Sequence, residues 1–306
     1  MGEIKKVSII GLGALGVLFG SQMRKILPAQ DLRVIADEDR IRRYLRDGVY
    51  CNGERCDFHY VRPEDPCEPA DLLVFAVKSS GLNDAVSEAK NHVGPDTLIL
   101  SVMNGISSEA IIGSVYGYEK VLYCVAQGMD AVKVGNRLTY HNRGMLCFGE
   151  QESGVISERM KAIAAFFDRA GIPYVMRTDM KKYMWGKFML NVGVNQTAAV
   201  YGCNYSGVQQ EGVFRDVMIL AMREVIALSW KEGVDLTEED LDYWLSVIKP
   251  LHPDGKPSMQ QDTEAKRKSE VDLFAGTVLA LGEKHGIPTP VNRMLYDKII
   301  AIEKNF

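Results

Sequence analysis

Three polar side chains share one helix face within an otherwise apolar stretch of the sequence. Lys187, Asn191 and Asn195 follow one another at every fourth position, among Phe, Met, Leu and Val residues. At 3.6 residues per turn, this spacing places all three on the same side of a helix. An ammonium and two carboxamides are costly to bury unless they are hydrogen-bonded or meet a ligand. The stripe therefore predicts either a pocket for a small, oxygen-rich molecule or a satisfied polar network between helices.

A glycine motif near the N-terminus predicts dinucleotide binding. Residues 4–10 are typical of a buried strand and residues 14–27 of a helix. The first glycine of such a motif permits a tight turn, the second lets the backbone approach a pyrophosphate, and the third allows close helix–strand packing. The helix N-terminus then offers N–H groups and a positive dipole end to the phosphates. The residues of the motif are Gly11, Leu12, Gly13, Ala14, Leu15 and Gly16.

The alternative interpretation of the motif is a glycine-rich turn without a ligand. An acidic residue, Asp37, follows about twenty residues later and favours dinucleotide binding. At the end of a second strand, a carboxylate binds the ribose 2′-hydroxyl of NAD. Arg40, Arg42 and Arg43 lie just beyond it and favour the 2′-phosphate of NADP, unless they form a solvated helix face. These residues alone leave the choice of cofactor open.

Two further polar residues directly follow predicted central strands. Lys78 comes after the apolar run 71–77, and Asn104 with Gly105 follows a strand at 97–102. Doubly wound sheets bind their ligands at the carboxyl ends of the strands. Both residues are therefore candidate site residues, although a helix cap or a turn explains either of them equally well.

The pattern of predicted elements changes near residue 177. Before it, strands alternate with helices; after it, helical periodicity prevails with few strand signals. This predicts an α/β fold, with a Rossmann-type dinucleotide-binding domain at 1–177 followed by an all-α substrate-binding domain at 178–306. A chain of 306 residues is long enough for two such domains.

Composition excludes several classes of function. Apolar residues make up 46% and charged residues 25% of the chain, as is usual for globular proteins. The net charge of −4 comes without a basic tract and argues against a nucleic-acid partner. Apolar runs fall short of the ~18 residues that a membrane span requires. We therefore expect a cytoplasmic protein with a small-molecule substrate.

The six cysteines are scattered, without a C-x-x-C pair. In the absence of an export signal, this predicts reduced thiols and no metal site. Cys51 and Cys56 flank the Asn52-Gly53 turn of a hairpin predicted at 49–60, where they could face each other.

Two polar segments in the second half have ordinary structural explanations. Ser258 opens a helical stretch after several Pro and Gly residues, as expected of a helix cap. Glu270 and Asp272 would ordinarily be solvated charges on a helix surface.

Taken together, these segments resemble the ketopantoate reductase (2-dehydropantoate 2-reductase) family over nearly the whole chain. The last three motifs, in their order, are the most specific. The resemblance implies NADPH-dependent reduction of 2-dehydropantoate to (R)-pantoate, a step toward pantothenate and coenzyme A. The matching motifs are G-x-G-A-x-G at 11–16, V-K at 77–78, N-G at 104–105, W-x-K-x-x-x-N-x-x-x-N at 185–195, S-M-x-x-D at 258–262 and R-x-x-E-x-D at 267–272.

The resemblance also implies a role for each matching residue. Lys187 would be the general acid and Glu270 a second catalytic carboxylate. This suits the chemistry, because hydride arriving at a ketone carbon builds negative charge on its oxygen, which a proton-donating cation stabilises. The implied substrate ligands are Asn191, Asn195 and Ser258, and the residues implied to contact cofactor or substrate are Lys78 and Asn104.

The chain departs from the family at two positions. Gly81 stands where many members carry a glutamine, and Asp37 stands where some NADPH-using members place a basic residue. Two other functions therefore stay open: an NAD-dependent dehydrogenase of another branched 2-hydroxy acid, and a non-catalytic dinucleotide sensor. A helical second domain is also compatible with a homodimer.

Overall fold

Short apolar strands form an eight-stranded sheet in the first of two units. The computed structural model describes residues 2–152 and 154–306, and the units are Met1–Met180 and Lys181–Phe306. The strands of the chain are β1 (Val7–Ile10), β2 (Leu32–Ile35), β3 (Tyr50–Cys51), β4 (Glu54–Arg55), β5 (His59–Val61), β6 (Leu72–Phe75), β7 (Leu98–Ser101), β8 (Val121–Met129), β9 (Val132–Val134), β10 (Arg137–Thr139), β11 (Arg143–Gly149) and β12 (Tyr174–Met176).

The strand order in the large sheet is β12-β11-β8-β7-β6-β1-β2-β5. The six strands from β8 to β5 run parallel, whereas β11 is antiparallel to β8. Every residue of β1, β2, β6 and β7 is buried, which explains why these segments are apolar without alternation. Chain order reverses between β1 and β6, the kind of position where open α/β sheets bind ligands.

A second, four-stranded sheet has the order β4-β3-β10-β9. The predicted hairpin is present and turns at Asn52 and Gly53, whose φ angles are 47° and 85°. Because a two-residue turn fixes the register, Cys51 pairs with Glu54 rather than with Cys56. The expectation that the two cysteines face each other is therefore wrong. Among the described residues the six cysteines form no disulfide.

Among the described residues of the first unit, five α-helices pack around the large sheet. The first helix ends four residues before the predicted end, because the chain tightens into a turn in which the Lys25 amide donates to Gln22 O and Arg24 donates to Leu27 O at 2.7 Å. The helices of this unit are α1 (Ala14–Met23), α2 (Glu38–Asp47), α3 (Leu82–Glu88), α4 (Ser108–Tyr116) and α5 (Glu158–Ala170).

The second unit is helical, which together with the parallel sheet confirms the predicted fold class. Its longest helix is buried along almost its whole length: between residues 183 and 199, Lys187 alone is not fully buried. A π-helical turn at Asp272–Gly276 precedes one of the helices. The helices are α6 (Met180–Tyr201), α7 (Tyr205–Gln209), α8 (Val213–Lys231), α9 (Glu238–Ile248), α10 (Ser258–Glu264), α11 (Thr277–His285) and α12 (Pro290–Glu303).

Two glycines let other helices approach α6 closely. A Cβ at Gly193 would lie 2.6 Å from Met222 Cγ of α8, and a Cβ at Gly186 would overlap Trp244 of α9. Gly193 therefore serves the close packing of α8 against α6. Within the described part of the chain, no helix is both long and apolar enough to cross a membrane.

Candidate functional site

The glycine motif forms a tight turn between β1 and α1. Gly11 has a φ of 95°, and a Cβ there would lie 2.6 Å from Ala76 O. A Cβ at Gly16 would overlap the carbonyl oxygen of Gly11, so the third glycine closes the turn against the first. Gly13 is exposed at the start of α1, where backbone N–H groups can approach a phosphate. The residues present therefore fit a dinucleotide pyrophosphate.

Three candidate loops begin at the same edge of the sheet. Ile10, Phe75 and Ser101 are partners in register at the ends of β1, β6 and β7. The glycine turn, the segment with Lys78 and the segment with Asn104 follow these three strand ends. Lys78 is the N-cap residue of a 3-10 turn at Ser79–Gly81, and Asn104 lies between β7 and α4. Their placement fits a ligand at the carboxyl edge of a doubly wound sheet.

Asp37 and Arg40 interact with each other at the start of α2. Asp37 Oδ1 accepts the Arg40 backbone N–H at 2.7 Å and caps the helix. Its other oxygen lies 3.2 Å from Arg40 Nε. Arg42 pairs with Glu38 at 3.1 Å, and the Arg43 guanidinium lies 5.5 Å from the centre of the Tyr44 ring. Both oxygens of Asp37 are thus engaged by Arg40 at the position from which NAD and NADP are distinguished.

Two residues of the polar stripe on α6, Asn191 and Asn195, form a hydrogen-bonded strip with Ser258 of α10. Asn191 and Asn195 are 6% and 7% exposed, and the Asn195 amide lies 3.4 Å from Asn191 Oδ1. Asn195 Oδ1 also accepts the Ser258 hydroxyl at 3.1 Å and the Met259 amide at 3.3 Å. Lys187 lies one turn before Asn191 on the same helix and is half-buried. The structure thus brings together Asn191, Asn195 and Ser258, which are far apart in sequence.

Ser258 is not a helix cap. It is the first residue of α10, and Pro257 occupies the N-cap position. Because the hydroxyl points to Asn195, it takes part in the strip and does not bond the helix backbone. The cap interpretation of this serine is therefore wrong.

Glu270 lies at the entrance to the π-helical turn. Its carbonyl oxygen accepts the amides of Leu273 at 3.0 Å and Phe274 at 3.1 Å, and its side chain is half-buried. Asp272, in contrast, accepts the Tyr296 hydroxyl at 2.9 Å. π-helical turns are rare and occur frequently at functional sites.

One buried polar residue near this strip, Gln260, was not predicted from the sequence as a site residue. Gln260 is 1% exposed, and its amide nitrogen donates to Glu264 at 3.1 Å and lies 3.4 Å from Asn204 Oδ1. Its carbonyl oxygen has no hydrogen-bond partner among the described residues. Gln260 lies two positions after Ser258 on α10. It continues the polar contacts of the strip along this helix to Asn204.

A second polar network holds the opposite side of α6. Gln196 donates to Asn292 Oδ1 at 2.9 Å, and Asn292 donates to Glu224 at 2.7 Å. Glu224 also accepts the backbone amides of Val291 and Asn292, which lie in the first turn of α12. This network ties α6, α8 and α12 together and fixes the rotation of the helix that carries the stripe.

Comparison with known proteins identifies two matching family models that together span most of the chain. The model described as ketopantoate reductase PanE/ApbA matches residues 7–152, and its C-terminal counterpart matches residues 179–303. A 2-dehydropantoate 2-reductase of Aquifex aeolicus is 23% identical over 305 residues, which is 98% of this chain and 97% of the relative.

Solved structures share the same fold. A PanE/ApbA family ketopantoate reductase from Ralstonia eutropha is 25% identical and has a TM-score of 0.83, covering 98% of this chain and 99% of its own. A D-mandelate dehydrogenase in complex with NADH is 19% identical, with a TM-score of 0.86 and the same coverage. A dimeric ketopantoate reductase from Staphylococcus aureus has a TM-score of 0.79 at 19% identity, covering 98% of this chain and 99% of its own.

Proposed function

Since the chain belongs to the ketopantoate reductase family of dinucleotide-dependent oxidoreductases, we propose that it reduces 2-dehydropantoate to (R)-pantoate with NADPH. The observation that carries this proposal is the hydrogen-bonded strip in which Ser258 of α10 joins Asn191 and Asn195 of α6, the helix that also bears Lys187. In this proposal residues 1–177 are the dinucleotide-binding domain and residues 178–306 the substrate-binding domain.

Lys187 is the general acid of the proposed reaction. A dinucleotide, when bound, would supply the hydride that the ketone carbon receives. The ammonium of Lys187 offsets the negative charge that grows on the ketone oxygen and gives that oxygen a proton, which yields the alcohol. Glu270 is the second carboxylate, which orients the ammonium or accepts a hydrogen bond from the product hydroxyl.

Asn191, Asn195 and Ser258 are the proposed substrate ligands. Carboxamides donate and accept hydrogen bonds, as does a hydroxyl, so this set can bind both the carboxylate and the hydroxyl of 2-dehydropantoate. The side chains of the strip are already held by hydrogen bonds to one another. They therefore lose little conformational entropy when a substrate replaces some of these hydrogen bonds.

We assign the dinucleotide contacts to the glycine turn, Lys78 and Asn104, with Arg40 at the 2′-phosphate. Arg40 already engages both oxygens of Asp37, which supports NADPH because this carboxylate then has fewer lone pairs to offer a ribose 2′-hydroxyl. Substitution of Arg40 by Ala should therefore raise the KM for NADPH more than the KM for NADH.

A second candidate is an NAD-dependent dehydrogenase of another branched 2-hydroxy acid. Asp37 itself favours it, and so does the shared fold of a D-mandelate dehydrogenase that binds NADH. A third candidate, a non-catalytic dinucleotide sensor, would need the glycine turn but not a lysine beside the asparagine strip. We also propose a homodimer, as for the dimeric structural neighbour; sedimentation of the purified protein as a monomer would contradict it.

The deciding experiment measures NADPH and NADH oxidation with 2-dehydropantoate and with a panel of other branched 2-keto acids. Fast turnover of 2-dehydropantoate with NADPH supports the proposal. Activity only with NADH, or only with another keto acid, supports the second candidate. Tight dinucleotide binding without turnover of any keto acid supports the sensor.

A further inference from the structure

A buried chain of side chains closes the base of the loop that carries Asn104. Ser101 ends β7 and Ser108 begins α4, and their hydroxyl oxygens lie 2.8 Å apart. Ser108 Oγ lies 2.9 Å from Glu109 Oε2, and the Met103 amide lies 3.4 Å from Ser101 Oγ. Ser101, Ser108 and Glu109 are 0%, 2% and 1% exposed. These contacts therefore join both ends of the segment 102–107.

The carboxyl group of Glu109 is buried, so water solvates it poorly. Its Oε1 accepts no hydrogen bond from the described residues, and burial raises the pKa of Glu109 to about 7. The residue also lines a cavity of about 360 Å³, through which it can exchange protons with water. The titratable and charged groups that face it are Tyr118, Tyr123, Cys124, Glu150, Glu152 and, through its ion pair with Glu150, Arg159.

The charge of Glu109 sets the direction of this hydrogen-bond chain. An ionised carboxylate only accepts, so Ser108 donates to it, Ser101 donates to Ser108, and the Met103 amide donates to Ser101. Every proton of the chain then has an acceptor. A protonated carboxyl leaves one buried proton unmet in either form. On Oε1 the proton has no acceptor among the described residues, and on Oε2 it donates to Ser108, reverses both hydroxyl bonds and leaves the Ser101 proton without an acceptor in the chain. Such an unmet buried donor is costly.

We propose that Glu109 is a positioning residue which, through Ser108 and Ser101, holds the Asn104 loop in the shape that binds the dinucleotide. Gly105 in this loop has a φ of 95°, which favours glycine, so the loop adopts a tight and specific conformation. Glu109 acts through the loop and need not touch the ligand. The inference rests on the proposed function, because the role of Asn104 is assigned there.

The inference predicts that the dinucleotide binds more tightly when Glu109 is ionised. By linkage, binding must then release a proton in the pH range where Glu109 titrates. Dinucleotide Kd should fall in a one-proton step as pH rises through about 7. Titration calorimetry in buffers of different ionisation enthalpy measures the released proton on the unaltered protein. Binding without proton release near this pH would overturn the inference.

Variants separate this positioning role from a merely structural one. Glu109→Gln should abolish the pH step in Kd, and Ser108→Ala should abolish the step and weaken binding by about tenfold, as for one lost buried hydrogen bond. Glu150→Gln is the matched control: it removes a carboxylate from the same cavity and should keep the step.

The outcomes also distinguish this inference from the proposed function. If Asn104→Ala weakens dinucleotide binding while Glu109→Gln and Ser108→Ala bind as the wild type does at every pH, the inference alone fails. If no keto acid is turned over, the proposed function fails, and the binding measurements still report on the loop.

Discussion

The candidate site residues of the two units are built on opposite principles. In the first unit, the proposed dinucleotide site depends on missing side chains, since a Cβ at Gly11 or at Gly16 would meet a backbone carbonyl oxygen. In the second unit the proposed substrate site depends on what the side chains carry, because Asn195 accepts hydrogen bonds from Ser258 and from the amide of Met259. A backbone site is specified within a few residues, whereas a side-chain site must be assembled from segments 63 positions apart.

The largest effect is expected for Lys187→Ala, which should impair the chemical step and leave dinucleotide binding intact. Lys187→Ala should lower kcat by roughly 10²–10⁴-fold, the usual contribution of a general acid, and leave dinucleotide affinity nearly unchanged. Steady-state kinetics and a dinucleotide titration measure the two quantities. Lys182→Ala is a matched control on the same helix, since that lysine pairs with Asp240 at 3.1 Å and should keep full activity. A comparable loss of dinucleotide affinity would contradict the assignment of Lys187 as the acid.

The next prediction concerns His92, a titratable group buried in the first unit, and the loss of stability in acid that it should cause. Burial and nearby Arg33 lower the pKa of His92 to about 4 from an ordinary value of 6.5. The unfolded chain therefore binds more protons between these values, and stability should fall by on the order of 3 kcal/mol as pH drops from 6.5 toward 4. Urea unfolding across this range measures the loss.

His92→Gln is the variant that isolates this effect. The histidine is fully buried, with its Nδ1 2.8 Å from Ser8 Oγ, and glutamine keeps a polar group there that does not titrate. The variant should lose the acid-dependent part of the stability change. An unchanged pH dependence would show that other groups cause it.

A smaller effect is expected from filling the glycine turn. Gly16→Ala places a Cβ against the Gly11 carbonyl, so the turn must shift and dinucleotide affinity should fall at least about tenfold, as expected for a distortion near 1.4 kcal/mol. Gly81→Ala is the control, because a Cβ there points into open space. Equal dinucleotide affinities for the two variants would show that the site in the first unit does not depend on the missing side chain at Gly16.

An effect of similar size concerns a single member of the strip. Asn195→Ala should raise the KM for the keto acid and lower the free energy of unfolding by about 1–3 kcal/mol, because Ser258 and Met259 lose their acceptor. A double-mutant cycle with Ser258→Ala measures the coupling between the two side chains. Additive effects would show that the strip is not a unit, and an unchanged KM would remove Asn195 from the site.

Local rules made the first unit largely predictable. The alternation of apolar strands with helices, the glycine turn and the Asn52-Gly53 hairpin all depend on neighbouring residues, and each is present in the structure. The end of α1 was predicted too late, because the tightening involves hydrogen bonds of Arg24 that helical periodicity does not encode.

In the second unit the sequence determined that Lys187, Asn191 and Asn195 share one helix face, since helical periodicity requires it. Tertiary structure decided the rest. It made Ser258, an expected helix cap, a hydrogen-bond partner of Asn195, packed Met222 against Gly193, and placed Gln260 beside Asn204. These outcomes depend on which helices pack together, and packing is fixed by the shape and burial of many distant side chains at once.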